Sequence, residues 1–322
     1  KTKWFVTIVL ICALLGGFGY IKAKAYLFDG LPSLPDKATM WELNLQTNTT
    51  LLDRNGDILG HRGPYVGRPL KLSEMPNHLP QAFLAIEDER FYQHAGIDRR
   101  AILRAFFENQ KSGRTAQGGS TLTQQLVKNM VLTPEKTYRR KFQEAWLAYE
   151  METVLSKPEI LELYLNRVDL GNRTFGVEAA AQRYFGKSAT EVTLAEASML
   201  AGLPQAPSRY NPAKNFEGAQ DRAKLVLRRM LANTMITPSQ LAEAETNPPS
   251  IISEVEDAVE PAIIGHVFDY IQEQAQGIVG SDVKDLIVRT TLDPKLQQQA
   301  HDSVEKILSA QGKKRKVSEA AL

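Results

Sequence analysis

Between Pro80 and about Arg229 the sequence follows a helical hydrophobic pattern almost without interruption. Apolar residues recur at spacings of three and four, as in Ala82, Phe83 and Ile86, which places them on one face of a helix. Pro80 suits the first turn of such a helix, where its missing N–H would have no partner. A pattern of this kind over nearly half of the chain predicts a mainly α-helical fold.

Three helix starts in this region carry capping signals. Thr121 with Gln124, and Ser156 with Glu159, fit the motif in which a hydroxyl residue and the third residue after it cap each other. Asp98 is placed to cap another helix with its carboxylate. These signals predict separate helices beginning at each of the three positions.

A long helix is predicted from 133 to 151, and two of its faces differ in character. Its buried side is expected to carry Phe142, Ala145, Trp146 and Tyr149. Arg140, Lys141 and Glu144 share the opposite face, because they are three or four residues apart. Taken alone, this polar cluster is typical of surface ion pairs that contribute only about a few tenths of a kcal/mol.

Short β-structure is expected on both sides of the helical region. Residues 49–60 are typical of a β-hairpin around the Asn55-Gly56 turn. Residues 285–292, rich in Leu, Ile, Val and Thr, predict a strand, followed by a polar helix from Pro294.

The composition excludes several kinds of site. A net charge of +2 is too small to indicate nucleic-acid binding. Cys12 is the only cysteine, so the chain has neither an intramolecular disulfide nor a cysteine metal cluster. The five histidines are scattered without the spacing of a zinc-binding helix.

The run from Trp4 to Ile21 is uncharged, apolar and about as long as a bilayer-spanning helix. A cleaved signal peptide is the alternative, since Ala23-Lys24-Ala25 has the form of a cleavage site. The apolar run is longer than that of a usual signal peptide, so we expect an uncleaved anchor. The short N-terminal tail is then cytoplasmic, and everything after Lys24 lies outside the cytoplasm.

Glu87 ends the apolar stripe of the first predicted helix, which indicates partial burial. Burial disfavours the ionised form of a carboxyl group, raises its pKa and makes it a better base near neutral pH. The alternative is an ordinary helix-terminal acid paired with Arg90. Nearby His94 and Phe91 are expected to be structural.

The segment 118–121, Gly-Gly-Ser-Thr, opens the helix after Glu87 with two glycines and two hydroxyls. Free N–H groups and the helix dipole at such a start favour an anion, and Ser120, Thr121, Gln125 and Lys128 add side-chain donors. The same sequence is also a common junction between a loop and a helix. The residues alone leave both interpretations open.

The order of these segments resembles the family 51 peptidoglycan glycosyltransferases. The resemblance rests on 87–96, 118–129, 140–144 and 160–166, and on 184–187 and 201–212 further along. It covers about residues 50–235 and includes all five family motifs in order. Residues 167–176 depart from the aromatic-rich form common in the fourth motif, which bears on acceptor binding.

The resemblance implies a mainly α-helical, lysozyme-like glycosyltransferase domain with a small membrane-proximal jaw approached by 102–119. One transmembrane helix and the short β-hairpin precede the domain. The expected organisation is a cytoplasmic tail and anchor, a juxtamembrane segment, the glycosyltransferase domain, and a linker leading into a truncated transpeptidase domain. Their respective ranges are 1–25, 26–48, 49–240 and 241–322.

The implied reaction is the polymerisation of lipid II into β-1,4-linked glycan, with inversion at the anomeric carbon and release of undecaprenyl diphosphate. Glu87 matches the general base, and Glu144 matches a second glutamate that assists near the diphosphate. The positions that match substrate- and diphosphate-binding residues are Ser120, Thr121, Gln125, Lys128, Asn129, Arg140 and Lys141. Supporting positions are Asp88, Phe91, His94 and Gly118.

A divalent cation, Mg²⁺ or Mn²⁺, is the implied cofactor, with ligands left unknown, and no organic cofactor is expected. The implied partners are lipid II, the growing glycan chain, membrane lipid and other cell-wall synthesis proteins of division or elongation, but not nucleic acid. The chain is expected at the cytoplasmic membrane as a single-pass protein, with its catalytic domain outside the cytoplasm.

Members of this family often continue into a penicillin-binding transpeptidase domain, as in class A (bifunctional) penicillin-binding proteins. Ser-x-x-Lys occurs at 281–284 and 303–306, but no Ser-x-Asn or Lys-Thr-Gly motif accompanies it. Transpeptidation is therefore not expected of these residues. Two alternatives to the transferase remain: a lysozyme-like glycan hydrolase, since paired carboxylates also serve glycoside cleavage, and an inactive membrane scaffold.

Overall fold

The structure is a computed structural model that describes residues 22, 24–42, 48–104, 119–132, 135, 137–252, 265–280, 285–315 and 317. The chain divides into two compact units. The first comprises 1–43, 70–168 and 224–246, and the second 44–69, 169–223 and 247–322. The domain boundaries expected from the sequence stay a prediction.

Along the chain, the main helices are α1 (Lys37–Glu42), α2 (His78–Glu87), α3 (Leu122–Val131), α4 (Tyr138–Val154), α5 (Lys157–Leu165), α6 (Val177–Phe185), α7 (Leu194–Gly202), α8 (Phe216–Ala232), α9 (Pro238–Thr246), α10 (Gly265–Val279) and α11 (Pro294–Ile307). The strands are β1 (Asn48–Leu52), β2 (Ile58–Arg62), β3 (Tyr65–Val66), β4 (Thr174–Phe175) and β5 (Asp285–Arg289). Residues 24–28 and 99–104 are also helical. Short 3₁₀ turns lie at Leu72–Glu74, Phe91–Gln93 and Ala189–Glu191, and a π-turn at Leu308–Gly312 leads into the short helix Lys313–Arg315. The prediction of a mainly helical protein is confirmed.

The predicted membrane anchor, Trp4–Ile21, falls outside the described residues. Within the part of the chain that the structure describes, no helix combines the length and the apolar character needed to cross a bilayer.

Capping explains where the helices of the first unit begin. The Thr121 side chain accepts from the N–H of Gln124, and the Gln124 side chain accepts from the N–H of Thr121, as predicted. The Glu159 carboxylate accepts from the N–H of Ser156 at the start of α5. Asp98 accepts from two backbone N–H groups at the start of the helical segment 99–104. Each of these bonds satisfies donors that the helix itself leaves without partners.

The core of the first unit is formed where α3 packs against α4 and α5. Phe83 of α2, Leu126 of α3, Leu147 of α4 and Tyr164 of α5 are buried there. The rings of Phe83 and Tyr164 meet edge to face with centroids 6.2 Å apart. This packing fixes the C-terminal end of α2, where Glu87 lies, against α3.

The predicted burial of the long helix α4 is wrong. Trp146 and Tyr149 are 42% and 54% exposed, whereas Glu144 is only 2% exposed. The buried stripe runs through Glu144, Leu147, Ala148 and Met151, at the spacings of one helix face. The helix has two faces that carry apolar residues. Glu144 lies on the face that is buried, and its charge made that face look exposed in the sequence. The helix also begins at Tyr138, and the predicted start at 133–134 lies outside the described residues.

In the second unit, β1 lies between β2 and β5 in a three-stranded sheet. β1 and β2 form the predicted antiparallel hairpin, and Asp53 accepts from the N–H groups of Asn55, Gly56 and Asp57 in its turn. β5 pairs with β1 in parallel and ends at Arg289, three residues before the predicted end. The sheet buries a core of Leu51, Leu59 and Phe268.

A second cluster in this unit joins α7 to α8. Met199, Ala219 and Ala223 are buried together, with Phe185, Phe216 and Ile251 packed against them. α7 ends at Gly202, two residues before Pro204, because a proline disfavours helical backbone at the residue before it.

Candidate active site

Glu87 is the last residue of α2 and is partly buried. Its Oε2 accepts a hydrogen bond of 2.7 Å from Nε2 of Gln125 on α3. Two predicted site residues that are 38 positions apart in the sequence are therefore in direct contact. Nη2 of Arg90 lies 3.5 Å from Asp98, and the alternative Glu87–Arg90 pair stays a prediction.

Tyr164 of α5 extends this contact, although no role was predicted for it. Its hydroxyl donates to Oε1 of Gln125 at 3.2 Å. A tyrosine on the buried side of a helix usually finds a partner for its hydroxyl, which is the one signal that could have indicated this contact. The residues Tyr164, Gln125 and Glu87 form a continuous hydrogen-bonded series.

Asp88, the residue after the candidate base, ties its loop to the start of α3. Its Oδ2 accepts from the N–H of Leu122 at 3.0 Å, and both of its oxygens lie within 3.1 Å of Nε2 of His94. The His94 side chain is only 5% exposed. Asp88 is the partner that its predicted structural role lacked in the sequence. Phe91 is buried, with the Lys157 ammonium 4.2 Å above its ring.

The Thr121 hydroxyl makes its hydrogen bonds inside the protein and is not available to a ligand. It is 2% exposed, and its hydroxyl donates to the carbonyl of Gly96 at 2.6 Å while accepting from Gln124. The N–H groups of Thr121, Leu122 and Gln124 all have acceptors inside the protein. Three donors proposed for an anion at this helix start are therefore occupied. Gly118, the other glycine expected there, lies outside the described residues.

Gly96 is the point where the loop after Glu87 meets two helices. Its φ of +70° is in the left-handed region, where glycine carries no steric penalty. A Cβ atom at this position would lie 2.7 Å from the backbone nitrogen of Tyr149 on α4. The carbonyl of the same residue holds the Thr121 hydroxyl at the start of α3.

Glu144 anchors a cationic cluster. Its Oε2 lies 3.3 Å from Nη1 of Arg140, and its Oε1 pairs with Nζ of Lys141. Lys141 also donates to Oγ of Ser120 at 2.6 Å, which connects α4 to the segment before α3. The carboxylate is buried while the Lys141 side chain is 47% exposed, so the charge that solvent meets is the ammonium.

Lys128 and Asn129 lie on the exposed side of α3. Lys128 is three residues after Gln125 and therefore on the same side of the helix. In the structure, neither side chain has a hydrogen bond or ion pair with another described residue. Their predicted role in substrate binding stays a prediction.

The environment of Glu144 does not suit Mg²⁺ or Mn²⁺ as arranged. Such cations take anionic and neutral oxygen ligands, whereas both oxygens of this carboxylate already face cationic side chains. Over the described ranges, no group of three or more His, Cys, Asp or Glu side chains is placed to hold a metal ion.

The exposed aromatic side of α4 borders a cavity of about 790 Å³ in the first unit. Phe28 packs edgewise on Phe142 and Trp146, with centroids 5.5 and 4.9 Å away. Nε2 of Gln143 donates to the carbonyls of Leu27 and Asp29. The chain that follows the predicted anchor is thus fastened along α4.

Comparison with known proteins agrees with this arrangement. The family model described as "Transglycosylase" matches residues 56–231. Penicillin-binding protein 1A of Vibrio cholerae is 38% identical over 304 residues, which are 94% of this chain and 36% of that protein. Penicillin-binding protein 1A of Escherichia coli is 41% identical over 244 residues, covering 76% of this chain and 28% of the relative. The chain thus spans about a third of the length of these relatives.

A crystal structure of penicillin-binding protein 1A from Haemophilus influenzae is similar in fold. It aligns with a TM-score of 0.53 and 27% identity, over 82% of this chain and 29% of that one. The family model covers more than half of the chain and includes Glu87, Gln125 and Glu144. The chain therefore belongs to the transglycosylase family.

Proposed function

We propose that the chain is a peptidoglycan glycosyltransferase that polymerises lipid II, with Glu87 as the general base. The observation that carries this proposal is that a carboxylate and a cationic cluster lie at two different places around α3. A carboxylate held by Gln125 lies at the end of α2, and a cationic cluster anchored by Glu144 lies at the start of α4. Proton removal from an acceptor and charge stabilisation on a leaving group need these two parts.

In the proposed reaction, Glu87 takes the proton from the 4-hydroxyl of the acceptor sugar. That oxygen attacks the anomeric carbon of the donor from the face opposite the diphosphate, so the α-linked donor gives a β-1,4 bond. The bond to the diphosphate breaks, and undecaprenyl diphosphate leaves with the bonding electron pair. The raised pKa predicted for Glu87 stays a prediction, which the acidic limb of a pH–rate profile tests.

Negative charge grows on the diphosphate as it leaves, and fixed cations stabilise it most when they need no rearrangement. Lys141 and Arg140 are held by Glu144, and Ser120 lies against Lys141. Two cations and one carboxylate leave this cluster with a net charge of +1, which complements the leaving group. Lys128 would add a further donor. Because the carboxylate of Glu144 does not suit a divalent cation as arranged, a metal enters the proposal only as an unassigned cofactor.

The proposal places this chemistry at the outer face of the cytoplasmic membrane, with Trp4–Ile21 as anchor. Trp146, which is 42% exposed and packs against Phe28, supports it, because tryptophan side chains are favoured at membrane–water interfaces. The proposed partners are lipid II, the growing glycan, membrane lipid and other cell-wall synthesis proteins.

Polymerisation of labelled lipid II in detergent tests the proposal. We expect Glu87→Gln to lower the rate by about 10²–10⁴, because it removes the base while preserving the shape of the side chain. Glu217→Gln, a change at an exposed glutamate of the second unit, is the matched control and should polymerise normally.

The outcomes separate three functions. Loss of polymer in the Glu87 variant supports the transferase, and persistent polymerisation would refute the base assignment. Cleavage of preformed glycan by the unaltered chain would instead identify a hydrolase. Absence of both activities would identify a scaffold.

A further inference from the structure

We propose that Tyr164 is a positioning residue for the catalytic base, acting on Glu87 through the side-chain amide of Gln125. This inference rests on the proposed role of Glu87. It concerns a residue that would not touch the substrate, since Tyr164 is only 1% exposed.

The geometry holds the amide of Gln125 at both ends. Its Oε1 accepts from the Tyr164 hydroxyl at 3.2 Å, and its Nε2 donates to Oε2 of Glu87 at 2.7 Å. Rotating the amide by half a turn would place its oxygen against a carboxylate oxygen, which is also an acceptor. The hydroxyl and the carboxylate therefore favour the same orientation, with the N–H group toward the base.

The donated N–H has two consequences for Glu87. It fixes the direction of the carboxylate, and it stabilises the ionised form, which is the form that can accept a proton. The Tyr164 hydroxyl keeps its own proton throughout, because burial, with the negative charges of Glu87 and then Asp88, raises the pKa of this phenol well above its usual value. It is thus a permanent donor at one end of the series.

Tyr164→Phe separates this role from packing. The ring would still meet Phe83 edge to face, so the change removes the hydroxyl and little else. The chain offers a matched control in Tyr184, which is also fully buried and whose hydroxyl donates to the carbonyl of Leu170 at 2.9 Å. Both variants lose the hydrogen bonding of a buried tyrosine hydroxyl, but of the two only Tyr164 is bonded to the residue that holds the proposed base.

The measurement is the pH dependence of lipid II polymerisation by both variants and the unaltered chain. We expect Tyr164→Phe to lower kcat about tenfold with KM within about twofold, because the residue acts on the base and not on substrate binding. The acidic limb of its kcat profile should move to higher pH by roughly 0.5–1 unit, as the carboxylate loses a fixed donor. Tyr184→Phe should leave that limb in place.

Gln125→Leu provides a second test that does not depend on folding of the Tyr164 variant. It should move the acidic limb in the same direction, and adding Tyr164→Phe to it should cause no further shift. An unmoved limb in Tyr164→Phe, or in Gln125→Leu, would overturn the inference. If Glu87→Gln is inactive and these limbs do not move, only the role of Tyr164 fails. If Glu87→Gln still polymerises, the base assignment itself fails.

Discussion

Glu144 is nearly fully buried, and burying an ionised carboxylate is costly unless charges and hydrogen bonds compensate for lost water. Here Arg140 and Lys141 supply that compensation through ion pairs with the carboxylate. Lys141 also donates a hydrogen bond to Ser120. The carboxylate therefore holds two flexible cationic side chains in place. The sequence showed the three residues on one helix face but could not show that Glu144 is the buried one among them.

Lys141→Met tests whether the held cation acts on the leaving diphosphate. The change keeps an unbranched side chain that is one atom shorter and removes its charge, so we expect kcat for lipid II polymerisation to fall by about 10²–10³. The fold should persist, because Glu144 keeps its contact with Arg140. Initial rates at saturating lipid II, with circular dichroism of both proteins, check this.

Lys187→Met is the control for loss of a lysine ion pair. Lys187 lies 2.9 Å from Glu196 in the second unit and has no proposed part in the reaction. Its variant should polymerise at the normal rate. Equal losses in the two variants would contradict a specific role of Lys141.

Among the helices, α3 connects the two halves of the site. Gln125 within it holds Glu87, and Ser120 just before it meets Lys141. The position of its first turn depends on Thr121, which caps the helix and also bonds the carbonyl of Gly96. We therefore expect the Thr121 cap to influence the positions of both Glu87 and the Lys141–Glu144 pair.

Thr121→Val removes the hydroxyl while keeping a β-branched side chain. We expect the free energy of unfolding to fall by about 1–2 kcal/mol from the lost cap. Polymerisation should fall about tenfold or more at a temperature where the variant is folded, because small displacements of positioning groups are costly to catalysis. Denaturant unfolding and initial rates on the same samples measure both effects.

Thr193→Val offers the matched comparison, since Thr193 caps α7 with the same reciprocal pattern, paired with Glu196. It should lose similar stability and keep its activity. If both variants lose activity in proportion to stability, the cap at Thr121 has no special place in the site.

Helix starts were the most predictable elements, because a cap depends on residues three positions apart. Thr121–Gln124, Ser156–Glu159 and Asp98 all act as their local sequence indicates. The buried side of α4 was not predictable in this way. It depends on charges that meet only in the fold, where Lys141 reaches Ser120 from 21 positions away.

At the scale of the whole chain, contacts between distant segments escaped the sequence. β5 was expected as a strand, but its parallel pairing with β1 joins residues such as Thr49 and Leu286 across most of the chain. The bond between Tyr164 and Gln125 is of the same kind. Family resemblance identified the reaction class, which the transglycosylase match confirms, but it left such contacts unassigned.

Phe268→Ala tests how far the two compact units depend on each other for stability. Phe268 is fully buried with Leu51 and Leu59, so its truncation should cost about 3–5 kcal/mol. We expect faster amide hydrogen exchange in β1, β2 and β5 and a smaller change in α3 and α5. Exchange followed by mass spectrometry resolves these segments.

Phe83→Ala is the reciprocal variant, because Phe83 is fully buried in the first unit. It should accelerate exchange in α3 and α5 more than in the sheet. Uniform acceleration by both variants would show that the chain unfolds as one cooperative body instead.

The left-handed Gly96 has a consequence for inhibition of such an enzyme. Its carbonyl holds α3, and the space for its missing side chain is filled by the backbone of α4, so one residue sets the loop of Glu87 against both helices. A Cβ atom at Gly96 would clash with the backbone of α4, so a side chain here requires the loop and the helix to move apart. A compound that spans from Glu87, the proposed base, to the ammonium of Lys141 would therefore meet a spacing that we expect substitutions at Gly96 to change only by displacing the helices themselves, which leaves resistance few routes at this point.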